Sequence, residues 1–130
     1  MRSTPTLESL HQQWIEVFNS HDLDAHVGLY TEDAMLWGSI PELSVGRDAI
    51  RSYFARRGPQ VHVSDYPYPI VVMLRDDVAV TAADADFADG DTLLPHRLSW
   101  TVVKKDGNWL IAQHHGSPRG NPSQAVSAPE

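Results

Sequence analysis

The chain predicts an α+β domain in which helices come first and a run of consecutive strands follows, curved strongly enough to enclose a hollow. Three observations carry this. The apolar period is 3.6 residues up to about Arg57 and 2 residues beyond it, with Gly58-Pro59 at the change. Asp106-Gly107 lies between two extended apolar runs, the strongest short-range hairpin signal, because both central residues of a type I′ turn need positive φ. The strand that leaves this turn begins apolar and ends in His114-His115-Gly116-Ser117. A core strand of that kind runs from the closed end of a cavity to its mouth.

Leu7, Leu10, His11, Trp14, Ile15 and Phe18 mark one face of a first helix, with Thr4 as its cap and Pro5 in its first turn. Asn19 to Asp22 breaks the pattern, and Asp22 caps a short second helix that reaches Tyr30, with Leu23, Val27 and Tyr30 facing in. Ala34 to Trp37 reads as a short strand, and Ser39 to Gly46 as a loop. A third helix spans about Arg47 to Arg57, with Ile50, Tyr53 and Phe54 as its stripe and Arg56-Arg57 at its negative end. Strands follow at Val61–Ser64, Ile70–Arg75, Val78–Phe87, about His96–Lys105 and Asn108–Ser117. Helices packed on one side of consecutive antiparallel strands make a cone-shaped sheet around a central pocket. Residues 1–118 form one domain, and 119–130, rich in Pro, Ser, Gly and Ala, read as a flexible tail.

Composition narrows the function. The chain has 130 residues, 42% of them hydrophobic, enough for one domain with a real core. Its formal net charge of −7 argues against nucleic acid and against anionic membrane surfaces. It has no cysteine, so a thiolate zinc site, a disulfide framework and a cysteine nucleophile are excluded. No His-x-x-x-His and no His-x-His occurs, so no local metal site is expected, and no Walker loop, dinucleotide fingerprint or nucleophile elbow is present. No cofactor is expected. Without a signal peptide or an apolar run of membrane length, the expected compartment is the cytoplasm.

Adjacent residues on a strand face opposite sides, so His114 and His115 are expected on opposite faces of the sheet unless a bulge intervenes. Leu98, Trp100 and Val102 then share a face with Leu110, Ala112, His114 and Gly116, a largely apolar cavity wall. Arg97, Ser99, Thr101, Gln113, His115 and Ser117 share the outer face. His114 is the candidate proton-transfer group, and the competing reading is a structural histidine. Tyr30 is the candidate hydrogen-bond donor. Asp84 and Asp86 alternate on one face; Asp84 is the candidate base if that face is inward, and both are solvated if it is outward. Either aspartate is also the natural partner for Arg97. Trp14, Phe18, Trp37 and Tyr53 are expected to serve as core and cavity wall together. A cone filled by these aromatics is a further possibility.

Several separate motifs occur in a familiar order: Phe18-Asn19-Ser20-His21-Asp22-Leu23-Asp24, Leu29-Tyr30-Thr31-Glu32-Asp33-Ala34, Gly46-Arg47-Asp48-Ala49-Ile50-Arg51 and Asp106-Gly107-Asn108-Trp109-Leu110-Ile111. Together they resemble the SnoaL-like/nuclear-transport-factor-two-like superfamily over about residues 6–118. The resemblance implies a cystatin-like α+β roll, a central small-molecule pocket, and homodimers or higher oligomers formed through the sheet. The ending from Trp109 to Ser117 is similar to two branches, the calcium/calmodulin-dependent kinase association domain and the iota-class carbonic anhydrase-like group. Where the first carries pocket arginines this chain has Trp100 and Gly116. The second is matched at His114, His115 and Ser117, with Gly116 in place of its first Ser. The superfamily holds isomerases, cyclases, lyases and non-catalytic binders, and fold does not choose among them. Two readings follow: a cofactor-free acid–base isomerase/cyclase or lyase, carbonic anhydrase included, or a non-catalytic module for ligand binding or oligomerisation.

Overall fold

In the computed structural model, residues 6–119 are described. Helix α1 (Leu7–Ser20) turns Leu10, His11, Trp14 and Phe18 into the core. The sequence expectation placed its cap at Thr4 and a proline at Pro5; both lie outside the described residues, and Thr6 is the cap, its side chain accepting from the Ser9 amide at 3.0 Å. Asp22 caps α2 (Leu23–Val27) as expected. That helix stops before Tyr30; Leu23 and Val27 pack partly buried against the core as expected, and the residue it buries fully is His26, which the pattern did not single out. A single turn is too short for periodicity to reveal its inner face.

Tyr30 instead opens β1 (Tyr30–Trp37), four residues ahead of the expected start. The two-residue β2 (Ser44–Val45) lies inside the expected loop, and α3 spans Arg47–Ala55. Then come β3 (Val61–Asp65), β4 (Ile70–Arg75), β5 (Val78–Asp89), β6 (Thr92–Lys105) and β7 (Asn108–Pro118). Strand β6 starts before the expected His96 and includes Pro95, which lies beyond the last β6–β7 pair, His96 with Pro118. The hairpin signal holds: Asp106 and Gly107 have φ of 52° and 81°.

The sheet order is β2-β1-β7-β6-β5-β3, and β4 also pairs with β5. The expectation of a wholly antiparallel sheet needs correction. Strands β1 and β7 run parallel, because the chain crosses from the helical half to the far end of the sheet between them. The curled sheet is therefore mixed. The helices cover its inner face, where Trp14, Trp100, Tyr30, Leu36, Ile50 and Ile111 are fully buried or nearly so.

Strand β7 contains a break that matters for the site. Thr101 pairs with Gln113, but Val102 pairs with Ile111, so Ala112 is an extra residue in the ladder. This bulge resets the alternation. Trp109, Ile111, His114 and Gly116 all face inward, while Leu110, Ala112, His115 and Ser117 do not reach the core. Strict counting by two gave the correct face for His114 and Gly116 and the wrong one for Leu110 and Ala112.

The expected tail, 119–130, is described only at its first residue. Strand β7 runs through Pro118, and the Arg119 amide donates to the Pro95 carbonyl at 2.9 Å. Residues 120–130, the rest of the expected tail, lie outside the described residues.

Candidate functional site

The floor of the site is a buried chain of three side chains. The Tyr30 carbonyl is held by Arg47 Nε and Nη2 at 2.9 and 2.7 Å, which fixes the start of β1 against α3. From α1, Trp14 Nε1 donates to the Tyr30 hydroxyl at 2.9 Å. That hydroxyl lies 2.9 Å from His114 Nδ1. An indole N–H can only donate, so the phenol oxygen accepts from Trp14 and has its own proton to give to Nδ1. The network thereby assigns the remaining ring proton of His114 to Nε2.

Electrostatics agree with that assignment. His114 is 4% exposed, and burial lowers its pKa to about 3, with the neighbouring His115 adding a smaller push. The ring is neutral at neutral pH. Burial raises the Tyr30 phenol, which keeps its proton. The sequence expectation of a histidine that both gives and takes protons near pH 7 is narrowed by this environment to a neutral donor.

Above the floor lies a cavity of about 450 Å³, within the usual range for small-molecule sites. The cone is therefore not filled by its aromatics. Trp14, Phe18, Phe54, Phe87 and Leu98 supply apolar wall, and Ser39, Tyr53, Arg56, Arg57 and His96 supply polar groups. Gly116 keeps space open in front of the floor: a Cβ there would lie 3.0 Å from Leu98 Cδ2 and 3.5 Å from His114 Nε2. The Tyr53 ring occupies the place a side chain at Gly38 would need, and its hydroxyl accepts from the Ser39 amide at 2.8 Å.

Sequence reasoning missed His96. Its Nδ1 lies 2.9 Å from the Leu94 carbonyl, which can only accept, so in the neutral ring Nδ1 is protonated and Nε2 bears the lone pair. Two imidazoles thus line the cavity with different ring nitrogens protonated, His114 engaged through Nδ1 to Tyr30 and His96 through Nδ1–H to the Leu94 carbonyl, which leaves the Nε2 of each unbonded. The polar partners that fix them come from residues distant in sequence or from the backbone, and neither leaves a sequence signal.

The family model for the SnoaL-like domain matches residues 7–119. The chain belongs to the SnoaL-like family. Among solved structures it is similar to a ketosteroid isomerase-like protein from Erwinia carotovora atroseptica SCRI1043, with 21% identity and a TM-score of 0.74, covering 88% of this chain and 95% of that one. It is also similar to a putative calcium/calmodulin-dependent protein kinase type II association domain from Thiobacillus denitrificans, with 18% identity and a TM-score of 0.73, covering 92% and 100%. A cystatin-like domain of unknown function from Nostoc punctiforme gives 12% identity and a TM-score of 0.78, covering 92% and 79%. At these identities the likeness concerns the fold. No curated protein matches.

The SnoaL-like fold brings Trp14, Phe18, Tyr53, Leu98, His114 and Gly116 to the cavity. Other expected site residues lie elsewhere. Tyr30 is fully buried behind His114 and acts on that ring, so it is a positioning residue. Trp100 is core, 2% exposed, stacked on His11 at 4.3 Å between centroids. Ala112 is the bulge residue. Trp37 is 46% exposed on the outer face, because its neighbour Leu36, paired with His114, takes the inward position.

Asp84 also faces out. On β5 the inward residues are Ala79, Thr81, Ala85 and Phe87, which leaves Asp84 and Asp86 on the other side. There they meet Arg119, with Nε 4.0 Å from Asp84 and the terminal nitrogen bonded to Asp86. Arg119 thus takes the place expected for Arg97. The His-His-x-Ser ending is split as well, since His115 is exposed and Ser117 lies with it in a separate outer hollow.

Two further histidines belong to the core. His11 is satisfied on both sides, by the Leu7 carbonyl at 2.9 Å and the Thr81 hydroxyl at 3.3 Å. His26 is 0% exposed with neither ring nitrogen hydrogen-bonded, stacked on Phe54 at 4.0 Å between centroids. Burial first, then the charge of Arg57, lowers its pKa to about 3. Among the described residues no group of three or more His, Cys, Asp or Glu is placed to hold a metal ion. No described helix is long and apolar enough to cross a membrane.

Proposed function

We propose that this SnoaL-like protein binds a small, mostly apolar carbonyl compound and performs cofactor-free proton transfer on it, of the isomerase/cyclase or lyase type. One observation carries the reading: the Trp14–Tyr30–His114 chain fixes a neutral imidazole whose Nε2–H faces an open cavity. A neutral imidazole held in one tautomer polarises a carbonyl oxygen and stabilises the enolate that forms when a neighbouring proton leaves. His96 Nε2 is the acceptor for that proton and returns it at the new position. One substrate carbon loses a C–H bond, its electron pair passes through the enolate, and a second carbon gains a C–H bond, so no redox partner is required.

The test is deuterium uptake next to the carbonyl of 2-tetralone in D₂O, followed by NMR. The expected acceleration is about 100-fold or more over buffer. His114→Ala and His96→Gln each remove most of it. Background exchange with the wild-type protein, while Trp fluorescence reports a bound ketone, supports the second reading, a non-catalytic ligand-binding module. The observation favouring that second reading is that no carboxylate lines the cavity among the described residues.

The outer face of the sheet is proposed as a contact with a second copy of the chain. It exposes Met35, Trp37 and Val45, an apolar group that a partner would cover. Sedimentation should give a dimer or larger species that Trp37→Glu weakens. A monomer at all concentrations removes this part of the proposal.

A further inference from the structure

We infer that the cavity takes a ligand carrying a carboxylate on an apolar body, with Arg57 as the charge partner; the inference rests on the pocket reading above. The cavity lining includes Arg56 and Arg57 and no Asp or Glu. This is unexpected in a chain of net charge −7. Other arginines are already engaged: Arg51 with Asp24, Arg119 with Asp86, and Arg47 with the Tyr30 carbonyl.

Arg57 is half-buried and makes no ion pair among the described residues. Its Nη1 donates to the Phe54 carbonyl at 2.9 Å and its Nη2 to the Phe18 carbonyl at 2.8 Å. Its Cζ sits 4.1 Å from the Phe18 ring centroid. Nε is buried with no partner. A guanidinium has five N–H donors, and these contacts occupy two of them.

The plainest reading of this arrangement is a staple between the ends of α1 and α3. A staple accounts for the two carbonyl bonds but not for the missing counter-charge. A cation drawn partly out of water over the Phe18 ring is stabilised by an opposite charge, and an anionic ligand supplies it. The guanidinium is also held in place beforehand, so little ordering remains to oppose binding. A monoanionic carboxylate suits this setting better than a phosphate dianion. The cavity is largely apolar, and more than one fixed cation is the usual requirement for a doubly charged group.

Two probes test the inference: 2-naphthoate and its methyl ester, which share one apolar body. Binding to the wild-type protein is measured by calorimetry. The acid is expected to bind about 10-fold tighter than the ester. Arg57→Gln is expected to abolish that preference, acid and ester then binding alike, whereas Arg56→Gln keeps it. Equal affinity of wild-type protein for acid and ester overturns the carboxylate inference and leaves the pocket reading intact. Failure of both probes to bind at millimolar concentration overturns the pocket reading itself. The wild-type comparison needs no variant, so it decides the matter even if Arg57→Gln loosens the helix ends.

Discussion

His114 and His115 are chain neighbours, yet they occupy opposite surroundings. His114 lies under aromatic rings with its Nδ1 bonded to Tyr30 and its pKa lowered to about 3. His115 is exposed on the outer face, 6.4 Å from the Trp37 ring. The same division separates the faces of β5 and β6. Inside are Ala85, Phe87, Leu98 and Trp100; outside are Asp84, Arg97 and Ser99. One peptide unit is therefore enough to turn an imidazole from a fixed hydrogen-bond donor into a surface group. The pleat of the strand makes the difference, and burial amplifies it.

The largest expected effect that can break this comparison is acid lability. In the folded chain His26 and His114 remain neutral down to about pH 3. In the unfolded chain both take up protons near the ordinary value of 6.5. Protons therefore favour the unfolded state, and the stability present above pH 6.5 is lost as pH falls toward 3. Each group contributes about 1.4 kcal/mol per pH unit in that window. Urea midpoints at pH 7, 5.5 and 4.5 should show the fall, and His26→Phe should make its slope clearly shallower without abolishing it, because His114 and the buried His11 remain. A flat profile contradicts the buried neutral pair.

Next in size is the contrast between the neighbours themselves. His114→Ala leaves the Tyr30 hydroxyl without its acceptor and opens a gap in the floor, at a cost of about 3 kcal/mol. His115→Ala should stay within about 0.5 kcal/mol, measured on the isolated protomer. Equal costs would show that the faces are not as described. Tyr30→Phe is expected to cost about 2 kcal/mol, since it leaves Trp14 Nε1 and His114 Nδ1 unpartnered in the core. It should also slow proton exchange on a ketone probe with little change in ketone affinity. The smallest stability effect, about 1 kcal/mol, is expected for Gly116→Ala, which presses on Leu98. That variant should weaken ketone binding by crowding His114 Nε2, and calorimetry checks it.

The parts of this fold that were legible in the sequence are those encoded locally. The α1 stripe repeats over four turns, Asp22 caps over three residues, and the Asp106-Gly107 turn needs only its own two φ angles. Leu98, His114 and Gly116 were legible as wall because alternation held near the mouth. Ala112 was not, because an inserted residue has no signature in a period of two. Trp37 and Asp84 were misplaced for a related reason: each strand's phase is set by partners across the sheet. The parallel β1–β7 pair was also hidden, since it joins segments about eighty residues apart. Arg57 was read only as a cation at a helix end. The Phe18 carbonyl that fixes it comes from a different helix. His26 was missed because α2 is too short to show a face.

Gly38 has a consequence for how this cavity can change. A Cβ at that position would fall 1.9 Å from the Tyr53 hydroxyl oxygen, so any larger residue must evict the tyrosine. The two positions are locked to each other and can drift only as a pair. Other lining residues such as Ile40, Leu94 and Pro118 have apolar side chains that form no hydrogen bond. Laboratory evolution toward a new ligand shape has its freest choices there, while the Gly38–Tyr53 wall stays constant.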